Sequence, residues 1–119
     1  MNKKVPKRRS PPLRRRRVIM KKVLFEGELK ISQVSFYSIL EITEGTSLTV
    51  TLTGTGNVDL YLRAGAKPTI YKFDAKSTGP TSTEKVRITL PEGGGKYYMR
   101  LRPMASTSTV RAVATVYRD

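Results

Sequence analysis

The sequence contains no cysteine and no histidine among its 119 residues. Without cysteine the chain can form neither a disulfide framework nor a reactive thiolate. Without histidine as well, the usual ligand sets for zinc and copper cannot be built, and the commonest general base near neutral pH is missing. We therefore expect no catalytic residues, no metal and no cofactor. A chain of this length can still bury the core of one domain.

Long apolar runs are missing too. No stretch is long and apolar enough to cross a bilayer. The short run Val18-Ile19-Met20 is ended by Lys21 and Lys22, whereas a secretory signal peptide needs roughly 7–15 apolar residues. We expect neither membrane insertion nor a signal peptide, which favours a cytoplasmic or virion-associated location. The sequence does not fix the compartment.

Positive charge is present in excess, and it is unevenly distributed. Residues 1–22 contain eleven Lys and Arg and no acid, which gives +11. The rest of the chain contains twelve basic and nine acidic residues, which gives only +3. Such asymmetry indicates nucleic acid, an anionic membrane surface or an acidic partner.

The first residues also lack the means to fold. Residues 1–17 combine Lys and Arg clusters with Pro6, Pro11 and Pro12. Like charges repel one another, prolines interrupt helices, and too few apolar groups are present to offset the entropy lost on ordering. We predict a disordered basic arm over residues 1–17 and a folded domain over residues 18–119.

From Val18 onward, apolar residues recur with a period of two. Leu48, Val50 and Leu52 alternate with polar residues, and residues 86–90 repeat the pattern. This alternation is typical of antiparallel strands with one buried face, and turn residues separate the runs. The sequence predicts an all-β fold, a single antiparallel β-sandwich of jelly-roll-like type. About eight strands are expected, near residues 18–31, 34–42, 46–53, 58–63, 69–73, 84–90, 96–102 and 109–117.

Three stretches combine a glycine with a following strand: residues 45–52, residues 54–63 with Gly65 and Pro68 after them, and residues 95–101. In this order they resemble the bacterial pre-peptidase C-terminal domain, and the segment Asp59-Leu60-Tyr61 is the most specific match. The resemblance covers residues 25–117 and implies a β-sandwich module of the kind appended to secreted proteases. The basic arm is not a feature of that family.

The basic segment is the main candidate site. Lys and Arg neutralise phosphates and release counterions, which gives affinity independent of sequence, and the arginine fork suits phosphate oxygens. The arm has no aromatic residue for base stacking. We expect non-specific binding of a polyanion, above all nucleic acid, through Lys3, Lys4, Lys7, Arg8, Arg9, Arg14, Arg15, Arg16, Arg17, Lys21 and Lys22. The alternatives are a solvated charge run, reversible attachment to a membrane surface, or a translation start at Met20.

The domain offers two further candidates. Asp59 follows the turn Gly54-Thr55-Gly56-Asn57, and an aspartate there commonly accepts backbone hydrogen bonds. We interpret Asp59 and Gly56 as structural. Alternation also points two tyrosines away from the core and predicts an exposed aromatic and basic patch for protein or sugar, formed by Tyr61, Arg63, Tyr98, Arg100 and Arg102.

Two functions remain open on these residues. The first is a non-enzymatic structural protein whose arm binds nucleic acid, as in a capsid or virion component that self-associates. The second is a free-standing accessory module that recognises protein or polysaccharide. An enzyme is not expected, because no set of nucleophile, base and orienting group can be assembled.

Overall fold

The computed structural model describes residues 16–119, and every element in this part of the chain is a β-strand. Alternating apolar residues form the strands, and glycine- and proline-containing segments connect them. The strands are β1 (Arg17–Leu29), β2 (Phe36–Ile42), β3 (Ser47–Gly54), β4 (Val58–Ala64), β5 (Ala75–Ser77), β6 (Glu84–Thr89), β7 (Gly95–Pro103) and β8 (Ser108–Arg118).

The strands form two four-stranded sheets. The first sheet has the order β1-β8-β3-β6 and the second has the order β2-β7-β4-β5. Every neighbouring pair is antiparallel. The prediction of an all-β antiparallel sandwich is confirmed.

The core lies between the inner faces of the two sheets. Leu48, Val50 and Leu52 of β3 are fully buried, as the alternation predicts, and Leu60 and Leu101 face them from the second sheet. Burying such a side chain stabilises a fold by about 1.5–3 kcal/mol. Because one face of each strand is used in this way, the side chains between the core residues stand on the outer faces.

Strand β1 is the longest strand and lies at the edge of the first sheet. Its pairing with β8 shifts register between Val18 and Met20 and again between Val23 and Phe25, as β-bulges do. Arg17 is the first residue of this strand, so it belongs to the sheet and not to the predicted arm. The rest of the predicted disordered arm, apart from Arg16, lies outside the described residues.

The strand expected near residues 69–73 is not formed. The Thr69 hydroxyl accepts hydrogen bonds from the backbone N–H groups of Tyr71 (3.1 Å) and Lys72 (2.8 Å). Thr69 N–H in turn donates to the carbonyl oxygen of Lys72 at 2.9 Å. These contacts close a turn because a threonine hydroxyl competes with strand pairing for backbone donors. The short strand β5 follows it instead.

Candidate functional site

The eleven basic residues of the N-terminal segment divide into two groups. Seven of them lie outside the described residues: Lys3, Lys4, Lys7, Arg8, Arg9, Arg14 and Arg15. The other four are Arg16, Arg17, Lys21 and Lys22, and all are exposed. Three of these four lie within β1. The described end of the basic segment is thus part of the sandwich.

Arg16 fixes the place where the basic segment meets the domain. Its guanidinium carbon lies 5.5 Å from the centre of the Tyr117 ring, a cation–π contact. Tyr117 alternates with the buried Val116 of β8 and stands on the outer face of the first sheet. Beside it, Arg118 forms an ion pair with Glu44 at 2.8 Å. Arg16 therefore lies against the outer face of the first sheet.

The predicted aromatic and basic patch lies on the outer face of the second sheet. Tyr61 pairs with Arg100, and Arg63 pairs with Tyr98, across β4 and β7. Arg102 is two residues from Arg100 on the same face. The fold thus brings all five predicted residues together on two adjacent strands, β4 and β7.

Tyr61 differs from the prediction in its exposure. It points away from the core, but its side chain is only 4% exposed. The Phe73 ring meets it edge-on at 5.8 Å, and the Arg100 guanidinium lies 5.8 Å from its centre. Residue 73 is held there because Asp74 bonds back to β4, with its N–H on the Leu62 carbonyl and its carboxylate on the Ala64 N–H. The patch therefore offers no open Tyr61 ring.

Arg100 is the most constrained cation of this face. Its Nε donates to the Ser35 hydroxyl at 2.9 Å, and its guanidinium also lies 5.7 Å from the Tyr37 ring centre. Lys67 Nζ lies 4.9 Å from that same ring. Tyr37 was not predicted from the sequence, although it is out of phase with the buried Leu40 and Ile42 of β2 and therefore stands on the outer face. Ser35 and Lys67 lie in loops, where no period exists to identify them.

A cleft of about 470 Å³ opens beside Arg100 at one end of the second sheet. Its rim carries exposed apolar side chains, with Val34 88% exposed and Ile31 55% exposed. Arginine and exposed apolar groups together are features of protein-binding surfaces. The lining residues are Ile31, Gln33, Val34, Ser35, Tyr37, Arg100, Arg102, Pro103 and Met104.

Asp59 is buried, at 6% exposure, and stands opposite Arg102 in the register. Burial raises the pKa of Asp59, Arg102 opposes that rise, and the charge of Glu84 adds to it. The expected turn-fixing role belongs to another residue. Within residues 16–119, the Asn57 N–H donates to Ser108 Oγ at 3.0 Å, and no backbone N–H donates to Asp59.

Gly56 has a backbone conformation that favours glycine. Its φ is +78°, a left-handed conformation that glycine adopts at little cost. A Cβ at this position would collide with the Ser108 hydroxyl and would lie 2.7 Å from the Thr107 carbonyl oxygen. The role of Ser108 could not be predicted from the sequence, because this residue contacts Asn57 of the turn across 51 residues of chain.

The acidic residues of the described region are scattered. Glu26 faces Arg111 at 3.7 Å, and Glu44 is paired with Arg118. Residues 16–119 contain no group of three acidic side chains that could hold a metal ion. The same residues form no helix that could span a membrane.

Comparison with known proteins places this geometry in a family. The family model for the bacterial pre-peptidase C-terminal domain matches residues 33–103, more than half of the chain. No curated protein sequence matches the chain.

The solved structures that match the chain include the following two. One is PliG of Aeromonas hydrophila, a periplasmic lysozyme inhibitor of g-type lysozyme, with a TM-score of 0.61 at 18% identity over 82% of this chain and 86% of that one. The other is the pre-peptidase C-terminal domain of a collagenase from Bacillus anthracis, with a TM-score of 0.49 at 8% identity over 83% and 86% of the two chains. With its family model matched across β2 to β7, the chain belongs to the bacterial pre-peptidase C-terminal domain family.

Proposed function

We propose that this chain is a non-enzymatic binding protein whose basic N-terminal segment binds nucleic acid without sequence specificity. One observation carries the proposal: residues 1–22 hold eleven Lys and Arg and no acid, whereas the rest of the chain is close to neutral. Charge of one sign concentrated on one segment creates a local positive potential that attracts phosphates. The sandwich supplies a stable carrier for that segment.

Physical chemistry favours a phosphate backbone as the ligand. Each Lys or Arg that neutralises a phosphate releases condensed counterions, so affinity grows with the number of contacts and falls steeply with salt. Base recognition needs aromatic stacking or fixed hydrogen-bonding groups, and the segment 1–17 contains no aromatic residue. Its binding is therefore independent of base sequence. A capsid or virion component is one setting for such a protein, and self-association would accompany it.

The test is a salt titration of DNA binding by the full-length chain. Fluorescence anisotropy of a labelled duplex gives the binding constant at each salt concentration. Replacing the cluster Lys7-Arg8-Arg9 with glutamine removes three charges, and the slope of log K against log salt should become shallower by up to about 3, at 0.9 for each lost contact.

A matched control removes three charges from elsewhere. Lys30, Lys72 and Lys96 are exposed and lie outside the basic segment, so their glutamine variants change net charge equally. If both triple variants weaken DNA binding to the same extent, net charge alone is responsible and the segment has no special role. Failure of the wild-type chain to bind DNA at low salt would also refute the proposal.

A second candidate function is recognition of a protein or polysaccharide by the sandwich. The cleft beside Arg100, with its exposed apolar rim, favours it. The fold is shared with an inhibitor of g-type lysozyme, so inhibition of such a lysozyme is the first activity to assay. Arg100→Met keeps an apolar stem of similar length and removes the charge, and it should abolish inhibition that depends on this cleft. An absence of inhibition by the wild-type chain would remove this activity from consideration.

A further inference from the structure

The outer face of the first sheet carries hydroxyls and cations in register. One row crosses all four strands as Lys21, Thr115, Thr49 and Arg87. Neighbouring rows add Thr51 beside Lys85, and Thr53 beside Arg111. We call this surface the threonine face, defined by Thr51, Thr53 and Thr115 with Lys21, Lys85, Arg87 and Arg111. Thr49 stands in the same row but is only 4% exposed, so its hydroxyl is not offered to a ligand.

The cations of the threonine face are exposed, and most of them have no carboxylate partner. Lys21, Lys85, Arg87 and Arg111 all lie at the protein surface. Among residues 16–119, Arg111 is the one cation of this face that forms an ion pair, with Glu26 at the long distance of 3.7 Å. The other three charges are available to a ligand from solution.

A groove runs along this face, and Lys21 of the basic segment lies in its lining. It has a volume of about 310 Å³. The Arg16 guanidinium lies over Tyr117, one of the lining residues. The basic segment therefore meets the domain at this face. The lining residues are Lys21, Thr51, Thr53, Arg111, Val113, Thr115 and Tyr117.

We propose that the threonine face continues the nucleic-acid site of the basic segment and binds the sugar–phosphate backbone. This inference rests on the proposed function and adds the surface on which the nucleic acid lies. Phosphate oxygens accept hydrogen bonds from Lys, Arg and Thr side chains alike, and this face presents all three. With strands about 4.8 Å apart, Lys21 and Arg87 stand roughly 14 Å from each other, which is room for a backbone to lie across the sheet.

The outer face of the second sheet fits a backbone less well. Its cations Arg100 and Lys67 are already placed over the sheet's own tyrosine rings, and Asp59 stands opposite Arg102. The threonine face instead presents the hydroxyls of Thr51, Thr53 and Thr115, and hydroxyls can turn to meet a phosphate. Its acids, Glu26 and Glu28, are on β1 toward the end away from Arg16.

The experiment compares two double variants of the full-length chain in the same DNA salt titration. Lys85→Gln with Arg87→Gln removes two charges from the edge strand β6 of the threonine face. Lys72→Gln with Lys96→Gln removes two charges from other surfaces and serves as the matched control. The β6 variant should make the salt slope shallower by up to about 2, and the control should leave it nearly unchanged. Thermal melting of both variants verifies that each stays folded.

The outcomes distinguish DNA binding by the threonine face from DNA binding by the basic segment alone. If the Lys7-Arg8-Arg9 variant reduces the slope and the β6 variant does not, the basic segment binds DNA alone and the threonine face has no role. If the wild-type chain does not bind DNA, both ideas fail. If polyglutamate binds as tightly as DNA and with the same dependence on Lys85 and Arg87, the partner is an acidic protein and the backbone site is refuted.

A hydroxyl variant provides a test without a change in charge. Thr53 is exposed on the threonine face, and Thr53→Val keeps its shape while removing its hydroxyl. We expect DNA affinity to fall by about two- to tenfold at a constant salt slope, the effect of one net hydrogen bond. Unchanged affinity would remove the threonine hydroxyls from the site.

Discussion

Replacement of Ser108 by alanine should destabilise the sandwich through the loss of its hydroxyl, which accepts from the Asn57 N–H and donates to the Asn57 carbonyl oxygen at 3.5 Å. Ser108 is fully buried, and its Oγ accepts the Asn57 N–H at 3.0 Å. Alanine leaves that N–H without a partner, which costs about 1–3 kcal/mol for a buried donor. Because Asn57 is only partly buried, we expect the lower half of this range.

The loss can be measured as a shift in the melting temperature. For a domain of about 100 residues, each kcal/mol lowers Tm by roughly 4–8 °C, so a fall of about 4–16 °C is expected by circular dichroism. The matched control is Ser106→Ala, two residues earlier and exposed, which should change stability by less than about 0.5 kcal/mol. Equal melting temperatures for the two variants would show that Ser108 does not hold the turn.

A second variant tests the packing of the same turn. Gly56→Ala introduces a Cβ at positive φ, in collision with the Ser108 hydroxyl. In a Ser108→Ala background the Cβ still lies 2.7 Å from the Thr107 carbonyl oxygen and 2.8 Å from the Ser108 Cβ. Gly56→Ala should therefore destabilise both backgrounds, and rescue by Ser108→Ala would refute the packing described for this turn.

Two further predictions concern pH and the loop between β6 and β7. Burial raises the pKa of Asp59 above its ordinary value of 3.8. The native state therefore holds this proton more tightly than the unfolded chain does. The stability that the proton contributes is present at low pH and is lost as the pH rises through the folded pKa. Urea midpoints measured upward from about pH 4 should fall less in Asp59→Asn than in the wild type, and parallel curves would contradict this. In the β6–β7 loop, Gly94→Ala places a Cβ against the Ile42 carbonyl, whereas the Cβ of Gly93→Ala meets open space at a similar positive φ. The Gly94 variant should therefore have a clearly lower melting temperature than the Gly93 variant. Equal losses of stability would contradict the contact with Ile42.

Period-two alternation was enough to predict the sandwich. Leu48, Val50 and Leu52 identify their strand because one face of β3 is wholly buried. The same rule places Tyr61 on the outer face but cannot show that Phe73 covers it. That contact depends on a loop whose turn is set by the Thr69 hydroxyl. Alternation reports the face of a strand, not what packs on that face from elsewhere.

The basic segment could be predicted because it is made of charge. Counting Lys and Arg identifies the basic segment because no fold is needed to see it. Predicting the row from Lys21 to Arg87 requires the register of four strands that are far apart in the sequence. The contact of Ser108 with Asn57 likewise spans 51 residues. Such contacts depend on strand order, which alternation does not specify.

The pairing of Arg17 with Arg118 places the end of β8 beside the described end of the basic segment. A fluorophore attached at Asp119 would therefore lie close to Arg16 in space. Quenching, or energy transfer to a labelled ligand, would then report the binding of that ligand to the basic segment.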